Sequence, residues 1–295
     1  MEAKIIDGNQ IASKIKQNLR SEIEKVKAQG IFPHLEAVMV GGNPGAKIYT
    51  ENQDKACKEL GISYKLNELP ESASQDQLAE FIHRLNENPK VTGIILQMPV
   101  PSHINGRKVQ MEISPSKDIE GMHPFNIGRL LYGEAVLAPC TPLAVMELLK
   151  SINVPLKGKE VVVIGHSEIV GKPLVLLLLQ SLLESPTPTV CHIATKDLAF
   201  HTKRADILIV AVGKAGLITG DMIKEGAIVI DVGINRIVKK DENGKVISKK
   251  IVGDVVFEEA VKKASFITPV PGGVGPVTTA MLLKNTIEAA KNIKK

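Results

Sequence analysis

Three groups of residues in this sequence could do chemistry. The first is the run Gly165-His166-Ser167-Glu168-Ile169-Val170-Gly171, which follows a short apolar stretch and leads into a longer one. Glycines there would let a backbone approach a pyrophosphate, and free N–H groups at a helix start would face its charge. The spacing departs from G-x-G-x-x-G: Ser167 stands where the second glycine would, and the last glycine comes later. On its own the run fits a plain strand-to-helix turn equally well. The second group is Tyr49, Gln97, Asp118 and Glu120. A tyrosine can stack on a flat heterocycle and present its hydroxyl. A glutamine offers both a donor and an acceptor, and a carboxylate can accept two N–H groups. Three of them have a plain alternative. Tyr49 could be a half-buried packing residue, Gln97 could satisfy a strand end, and Glu120 could be a solvated loop acid. Residue type alone favours those alternatives. The third and most distinctive is the phrase Thr268-Pro-Val-Pro-Gly-Gly-Val-Gly-Pro-Val-Thr278.

These residues need elements to position them. Leu35–Val40 reads as a strand ending at Gly41-Gly42, and Gly45–Leu60 as a helix closed by Gly61. Ile62–Leu66 is a second strand, Gln75–Leu85 a helix, and Gly93–Gln97 a third, buried strand. This alternation implies a mostly parallel sheet. Pro139 to Pro142 marks a boundary, with Pro142 opening a helix that runs to Lys150. A second series follows: strand Glu160–Ile164, helix Val170–Leu183, and strands Thr189–Ala194, Asp206–Val212 and Ala227–Val232. The turn Asp241-Glu242-Asn243-Gly244 predicts a hairpin between Ile237 and Val252. Phe257–Lys263 is a short helix, Ser265–Thr268 a last strand, and Gly275–Lys294 a closing helix. The repeated strand–helix order tips the glycine run towards a dinucleotide.

Composition narrows the function classes. The 295 residues are enough for two ordinary domains. Apolar residues make up 44% and charged residues 23%, the balance of a soluble globular protein. Aromatics are only 3% and Trp is absent, so a base-stacking surface for single-stranded nucleic acid is not expected. The net charge of +5 suits an anionic small molecule and is no nucleic-acid footprint. The basic end Lys291 to Lys295 reads as a solvated helix terminus. Cys57, Cys140 and Cys191 form no C-x-x-C, which points to reduced thiols in the cytoplasm, with neither disulfide framework nor zinc site. The start MEAKIIDGNQ is no signal peptide. Pro173–Leu183, broken by Gln180 and Ser181, is too short to span a membrane. Nothing calls for a metal.

The TPVPGGVGP-x-T phrase resembles the methylenetetrahydrofolate dehydrogenase/cyclohydrolase family. Other stretches agree, in family order: Val40-Gly41 through Tyr49 to Lys55-Ala56, Gly93-Ile94-Ile95-Leu96-Gln97-Met98-Pro99-Val100-Pro101, and Pro115-Ser116-Lys117-Asp118-Ile119-Glu120-Gly121. Pro139-Cys140-Thr141-Pro142, Ile230-Asp231-Val232-Gly233-Ile234-Asn235 and Val252-Gly253-Asp254-Val255 follow. The resemblance covers essentially the whole chain. It implies an α/β protein of two domains: an N-terminal α/β catalytic domain that binds folate (residues 1–140) and a Rossmann-like doubly wound dinucleotide-binding domain (141–274). The C-terminal helix (275–295) would return to the first domain. It further implies oxidation of 5,10-methylenetetrahydrofolate with NAD(P), and a homodimer.

The resemblance also implies residue roles. Tyr49, Gln53, Gln97 and Glu120 would occupy the catalytic positions. Met98, Asp118, Pro271, Gly272, Gly275 and Thr278 would join Tyr49, Gln97 and Glu120 around the substrate. Gly165, His166, Ser167, Val170, Gly171, His192 and Ile193 would meet the cofactor, as would Ala211, Val212, Gly213, Asp231, Gly233, Ile234, Gly272 and Thr278.

Three departures carry expectations. The family has a lysine four residues after the tyrosine, a spacing that puts both on one helix face, and here that residue is Gln53. Lys55, two residues on, points to roughly the opposite side. Hydride loss from the methylene carbon needs positioning and no proton acceptor. Cyclohydrolysis moves protons at oxygen and nitrogen, which lysine can serve and glutamine cannot. The expectation is dehydrogenase activity with weak or absent cyclohydrolase. The alternatives are a bifunctional enzyme using another proton relay, or a folate- or dinucleotide-binding protein without catalysis. Glu120 stands where the family loop has Asp. His166 and Ile193 stand where many members grip the 2′-phosphate of NADP, which leans the reading towards NAD, although NADP is the family default.

Overall fold

A computed structural model of the protein describes residues 2–240 and 246–293. In chain order the elements are β1 (Lys4–Ile5), α1 (Gly8–Ala28), β2 (His34–Val40), α2 (Pro44–Leu60), β3 (Ser63–Leu69), α3 (Gln75–Glu87) and β4 (Gly93–Leu96). Then come α4 (Gly106–Gln110), α5 (Pro124–Leu131), α6 (Cys140–Ser151), β5 (Glu160–Ile164), α7 (Gly171–Leu178), β6 (Thr187–Cys191), α8 (Leu198–Thr202) and β7 (Ile207–Val210). The remainder is β8 (Ile228–Asp231), β9 (Asn235–Lys240), β10 (Val246–Val252), α9 (Phe257–Ala260), β11 (Phe266–Ile267) and α10 (Val274–Ile293). The chain divides into two compact units, Ser13–Cys140 with Thr279–Lys295, and Met1–Ala12 with Thr141–Thr278.

The first unit is built on a parallel three-stranded sheet in the order β3-β2-β4. β2 and β4 are rich in apolar residues and buried, as expected for strands covered on both faces. α2 begins where the Asn43 side chain accepts from the N–H groups of Gly45 and Ala46, with Pro44 at the first turn. It ends at Gly61, whose φ of 70° gives the left-handed cap. α3 starts with a reciprocal Ser74–Gln77 capping box. Beyond its far end, the buried Lys117 Nζ donates to the carbonyls of Leu85 (3.0 Å), Asn86 (2.5 Å) and Asn88 (2.8 Å). An ammonium suits the negative end of a helix dipole, so Lys117 anchors the loop that carries Asp118 and Glu120. From α10, Asn285 donates to the carbonyls of Ile119 and Ala138, tying the terminal helix to the same loop.

The second unit carries a fully parallel six-stranded sheet, β1-β11-β8-β7-β5-β6. The order reverses between β5 and β7, so the crevice beyond their carboxyl ends is where an open α/β sheet binds its ligand. Strands β5, β7 and β8 form the centre of its core, with Val162, Ile164, Leu208, Val210 and Val229 all buried. The antiparallel pair β9–β10 stands apart as the expected hairpin; its turn, 241–244, lies outside the described residues.

Several expectations need correction. Helix α1 goes unread in the sequence, although Ala12, Leu19, Ile23 and Val26 recur at helical spacing and are buried. Residues 1–12 belong with the six-stranded sheet, because β1 pairs with β11. α7 stops at Leu178, short of the expected Leu183. There the Ser181 hydroxyl accepts from the N–H groups of Leu183 and Glu184, forming a turn that leaves Leu182 and Leu183 exposed. β6 ends at Cys191, so His192 and Ile193 lie in the loop beyond it.

Candidate active site

In the first unit the predicted side chains converge. Tyr49 and Gln53 lie one turn apart on α2, and Gln97 follows directly on β4. Gln53 is only 2% exposed, so its amide needs partners inside the protein. Its Oε1 accepts from Gln97 Nε2 at 2.9 Å and from the Tyr64 hydroxyl on β3 at 3.3 Å. Its Nε2 is buried with no hydrogen-bond partner. Tyr49 keeps half its surface open, while burial of its phenol, then Cys140 and Glu120, push its pKa up to about 12. It is therefore a neutral donor at physiological pH.

The acids sit close to this group. Asp118 is buried, and its Oδ2 accepts from His123 N–H at 2.7 Å and from Asn126 Nδ2 at 3.0 Å. Burial raises its pKa against those hydrogen bonds. Glu120 is partly exposed and accepts from Gln110 Nε2 at 3.2 Å. Burial, then the Asp118 charge, push its pKa up to about 8. The pair therefore holds fewer than two charges at neutral pH. Met98, just beyond β4, is about half exposed and precedes a cis Pro99.

The second unit builds its site from backbone. Gly165 has φ of 112°, and a Cβ there would collide with the carbonyl of Ala211; a Cβ on Gly171 would collide with the carbonyl of Gly165. The six-residue spacing thus brings the end of β5, the loop after β7 and the start of α7 together at the switch point. Ser167 closes this loop, its hydroxyl accepting from Val170 N–H. His166 and His192 pack edge to face with ring centres 4.9 Å apart, and Ile193 is exposed beyond them. No arginine stands in either loop segment.

Asp231 ends β8, but its carboxylate faces inward. It accepts from the N–H groups of Gly233, Asp254 and Val255. Burial still pushes its pKa up to about 6. Asp254 plays the matching part. Its Oδ2 accepts from Val212 and Gly213 N–H, and its Oδ1 from Asn235 Nδ2. A side chain on Gly233 would strike Asp254, and one on Gly253 would strike Asp231. The two motifs I-D-V-G-I-N and V-G-D-V are one interlocked clamp, with Thr268 Oγ1 accepting from Asp231 N–H. Sequence reasoning missed Asp254, Asn235 and Thr268 as shapers of these loops, although all stand inside the quoted motifs. Tyr64 carried no motif signal at all.

A cavity of about 420 Å³ in the same unit is lined by Asp231, Gly233, Ile234, Pro271, Gly272 and Gly275, among others. It gathers residues of the predicted cofactor set and of the Pro-Gly loop. Gly272 has φ of 102°, a conformation that L side chains resist. Thr278 lies further along α10 and donates to Val274 O at 3.1 Å. No cluster of three or more His, Cys, Asp or Glu that could hold a metal occurs among the described residues. No described helix is long and apolar enough to cross a membrane.

An apolar sheet with a glycine crevice, in one chain with a unit carrying a tyrosine, two amides and two perturbed acids, defines an α/β dehydrogenase-type architecture. Comparison with known proteins makes this particular. Residues 6–120 match the catalytic-domain model of the tetrahydrofolate dehydrogenase/cyclohydrolase family, and residues 139–294 match that family's NAD(P)-binding domain. The chain belongs to this family. It is 50% identical over 291 residues to the bifunctional protein FolD of Nautilia profundicola, covering 99% of this chain and 98% of that one. Among solved structures, the bifunctional methylenetetrahydrofolate dehydrogenase/cyclohydrolase of Campylobacter jejuni superposes with a TM-score of 0.91 at 46% identity, covering 98% of this chain and 99% of that one. The Trypanosoma brucei enzyme, solved with NADP and an inhibitor, gives a TM-score of 0.91 at 38% identity, covering 99% and 98%. The lean towards NAD gains no support from that NADP-bound relative. Nor do the half-identical relatives, named as bifunctional, support a missing cyclohydrolase.

Proposed function

We propose that this chain oxidises 5,10-methylenetetrahydrofolate to the methenyl form and hydrolyses that product, acting as a cytoplasmic homodimer. The observation that carries the reading is the convergence of Tyr49, Gln53 and Gln97 with the Asp118–Glu120 pair in one unit, within a chain half identical to bifunctional relatives. The glycine turn at Gly165 and Gly171 fits a dinucleotide, because the missing side chains let the end of β5, the loop after β7 and the start of α7 close together at the switch point, where a pyrophosphate can meet backbone. When bound, NAD(P) supplies the hydride acceptor.

The chain's own residues then have distinct roles. Tyr49 stacks on the pteridine and donates from a hydroxyl that stays protonated. Asp118 and Glu120 hold the N–H edge of the ring, which requires the pair to carry charge once the ligand is bound. Gln97, fixed by Gln53, orients the reacting carbon. His166, Ser167, Val170, His192, Ile193 and the 211–213 loop frame the cofactor side, with Gly272, Gly275 and Thr278 in the Pro-Gly segment.

One observation favours a second reading. Gln53 is buried and neutral where a proton-transferring lysine is expected, so hydrolysis of the methenyl product needs another proton carrier or is lost. An assay following reduced dinucleotide and methenyltetrahydrofolate together tests both readings. Bifunctional turnover gives reduced dinucleotide without build-up of methenyl product. Accumulation of methenyl product supports the dehydrogenase-only reading. Folate binding without turnover supports a binding protein and contradicts both.

A further inference from the structure

The amide of Gln53 is fixed from two sides. Two donors, Gln97 Nε2 and the Tyr64 hydroxyl, fall on its single carbonyl oxygen and use both of its lone pairs. What remains is the Nε2 group, buried and without a partner. An unmet buried donor is unfavourable, and this one lies one turn from Tyr49 on the face of α2 that meets Gln97. Tyr64 reaches it from the neighbouring strand, not from the helix. Burial, then Cys57 and Asp54, push the Tyr64 phenol above its ordinary value, so it remains a donor. A lysine at position 53 would reverse this bond, its ammonium donating to the Tyr64 oxygen. Tyr64 as the donor therefore belongs with a glutamine at this position.

We propose that Tyr64 is a positioning residue: it holds the carbonyl oxygen of Gln53 so that the Gln53 N–H is presented as a fixed donor to a folate oxygen or nitrogen. The proposal rests on the folate reading above. It gives Gln53 a binding role in this chain that does not depend on proton transfer.

The test is equilibrium titration with tetrahydrofolate, without dinucleotide, on wild type, Tyr64→Phe, Gln53→Ala and the double variant. Tyr64→Phe weakens binding about five- to tenfold. Gln53→Ala weakens it at least as much, and the double variant matches Gln53→Ala within about twofold, because Tyr64 acts through Gln53. Gln53→Glu keeps the acceptor but has no N–H; compared with wild type at the same pH, it binds poorly at about pH 8 and recovers as its own carboxyl gains a proton. This arm stands even if Tyr64→Phe fails to fold. Wild-type affinity in Tyr64→Phe, multiplicative losses in the double variant, or an affinity ratio of Gln53→Glu to wild type that does not change with pH each overturn the proposal. A wild-type chain that binds no tetrahydrofolate overturns the functional reading, and the proposal with it.

Discussion

The two units reach function by opposite means. In the Ser13–Cys140 unit the notable positions matter for what their side chains present: a phenol, two amides and two acids held at defined distances. In the Thr141–Thr278 unit they matter for what is missing or turned inward. Gly165, Gly171, Gly233 and Gly253 leave room for carbonyls and carboxylates, while Asp231 and Asp254 bind backbone N–H groups of their own unit. Residue type therefore translates into chemistry in the first unit and into loop shape in the second. The acid at the end of β8 shapes backbone, accepting from N–H groups of the segment after β10.

Substitutions can break or sharpen this contrast. The largest effect should come from Gly165→Ala, which combines a forbidden φ with a collision against Ala211. It should cost about 3 kcal/mol or more and lower the thermal midpoint sharply; a wild-type melt would show that the cradle is not tightly packed. Asp254→Ala comes next. It leaves the Val212 and Gly213 N–H groups without their acceptor, each loss worth about 1–3 kcal/mol. Dinucleotide affinity should fall more than about tenfold while tetrahydrofolate affinity stays within about twofold. Equal losses for both ligands would remove the distinction between the units.

Glu120 gives a smaller effect with a defined sign. It titrates near pH 8 in the folded chain against an ordinary 4.5, so the folded state holds an extra proton between those values. The stability tied to that proton is full below about pH 4.5 and is lost as pH rises through 8. Folate binding needs the carboxylate and should strengthen over the same rise. Glu120→Gln should flatten both profiles and be the more stable protein above pH 8, read by melts and titrations across pH. Unchanged profiles would mean that another group titrates. The smallest effect is expected from Ile193→Arg, an exposed change beside the dinucleotide loop that adds a phosphate partner. It should shift preference towards NADP by a few-fold, measured as the ratio of kcat/KM values.

Much of this was legible in the sequence, and the gaps have physical causes. The bounds of α2 were readable because Asn43, Pro44 and Gly61 each act locally, as cap, first-turn residue and left-handed stop. α7 was overextended because Leu182 and Leu183 look like helix core, yet a serine-centred turn places them in solvent. The membership of β1 was not legible, since a two-residue strand is decided by its partner β11, more than two hundred residues away in the chain. Gln53 and Gln97 could be placed by spacing and motif. Tyr64 could not, because its tie to Gln53 crosses from strand to helix and follows no period. Asp254 was visible as part of a motif, but its role required knowing that Val212 and Gly213 lie against it.

The central claim is hydride loss from the folate methylene, and isotopic labelling reaches it most directly. Methylenetetrahydrofolate prepared from fully deuterated formaldehyde would be turned over with NAD and with NADP, and the reduced dinucleotide weighed by mass spectrometry. The account predicts reduced dinucleotide carrying one deuterium. Reduced dinucleotide without deuterium, or none at all from a chain that binds both ligands, would contradict it.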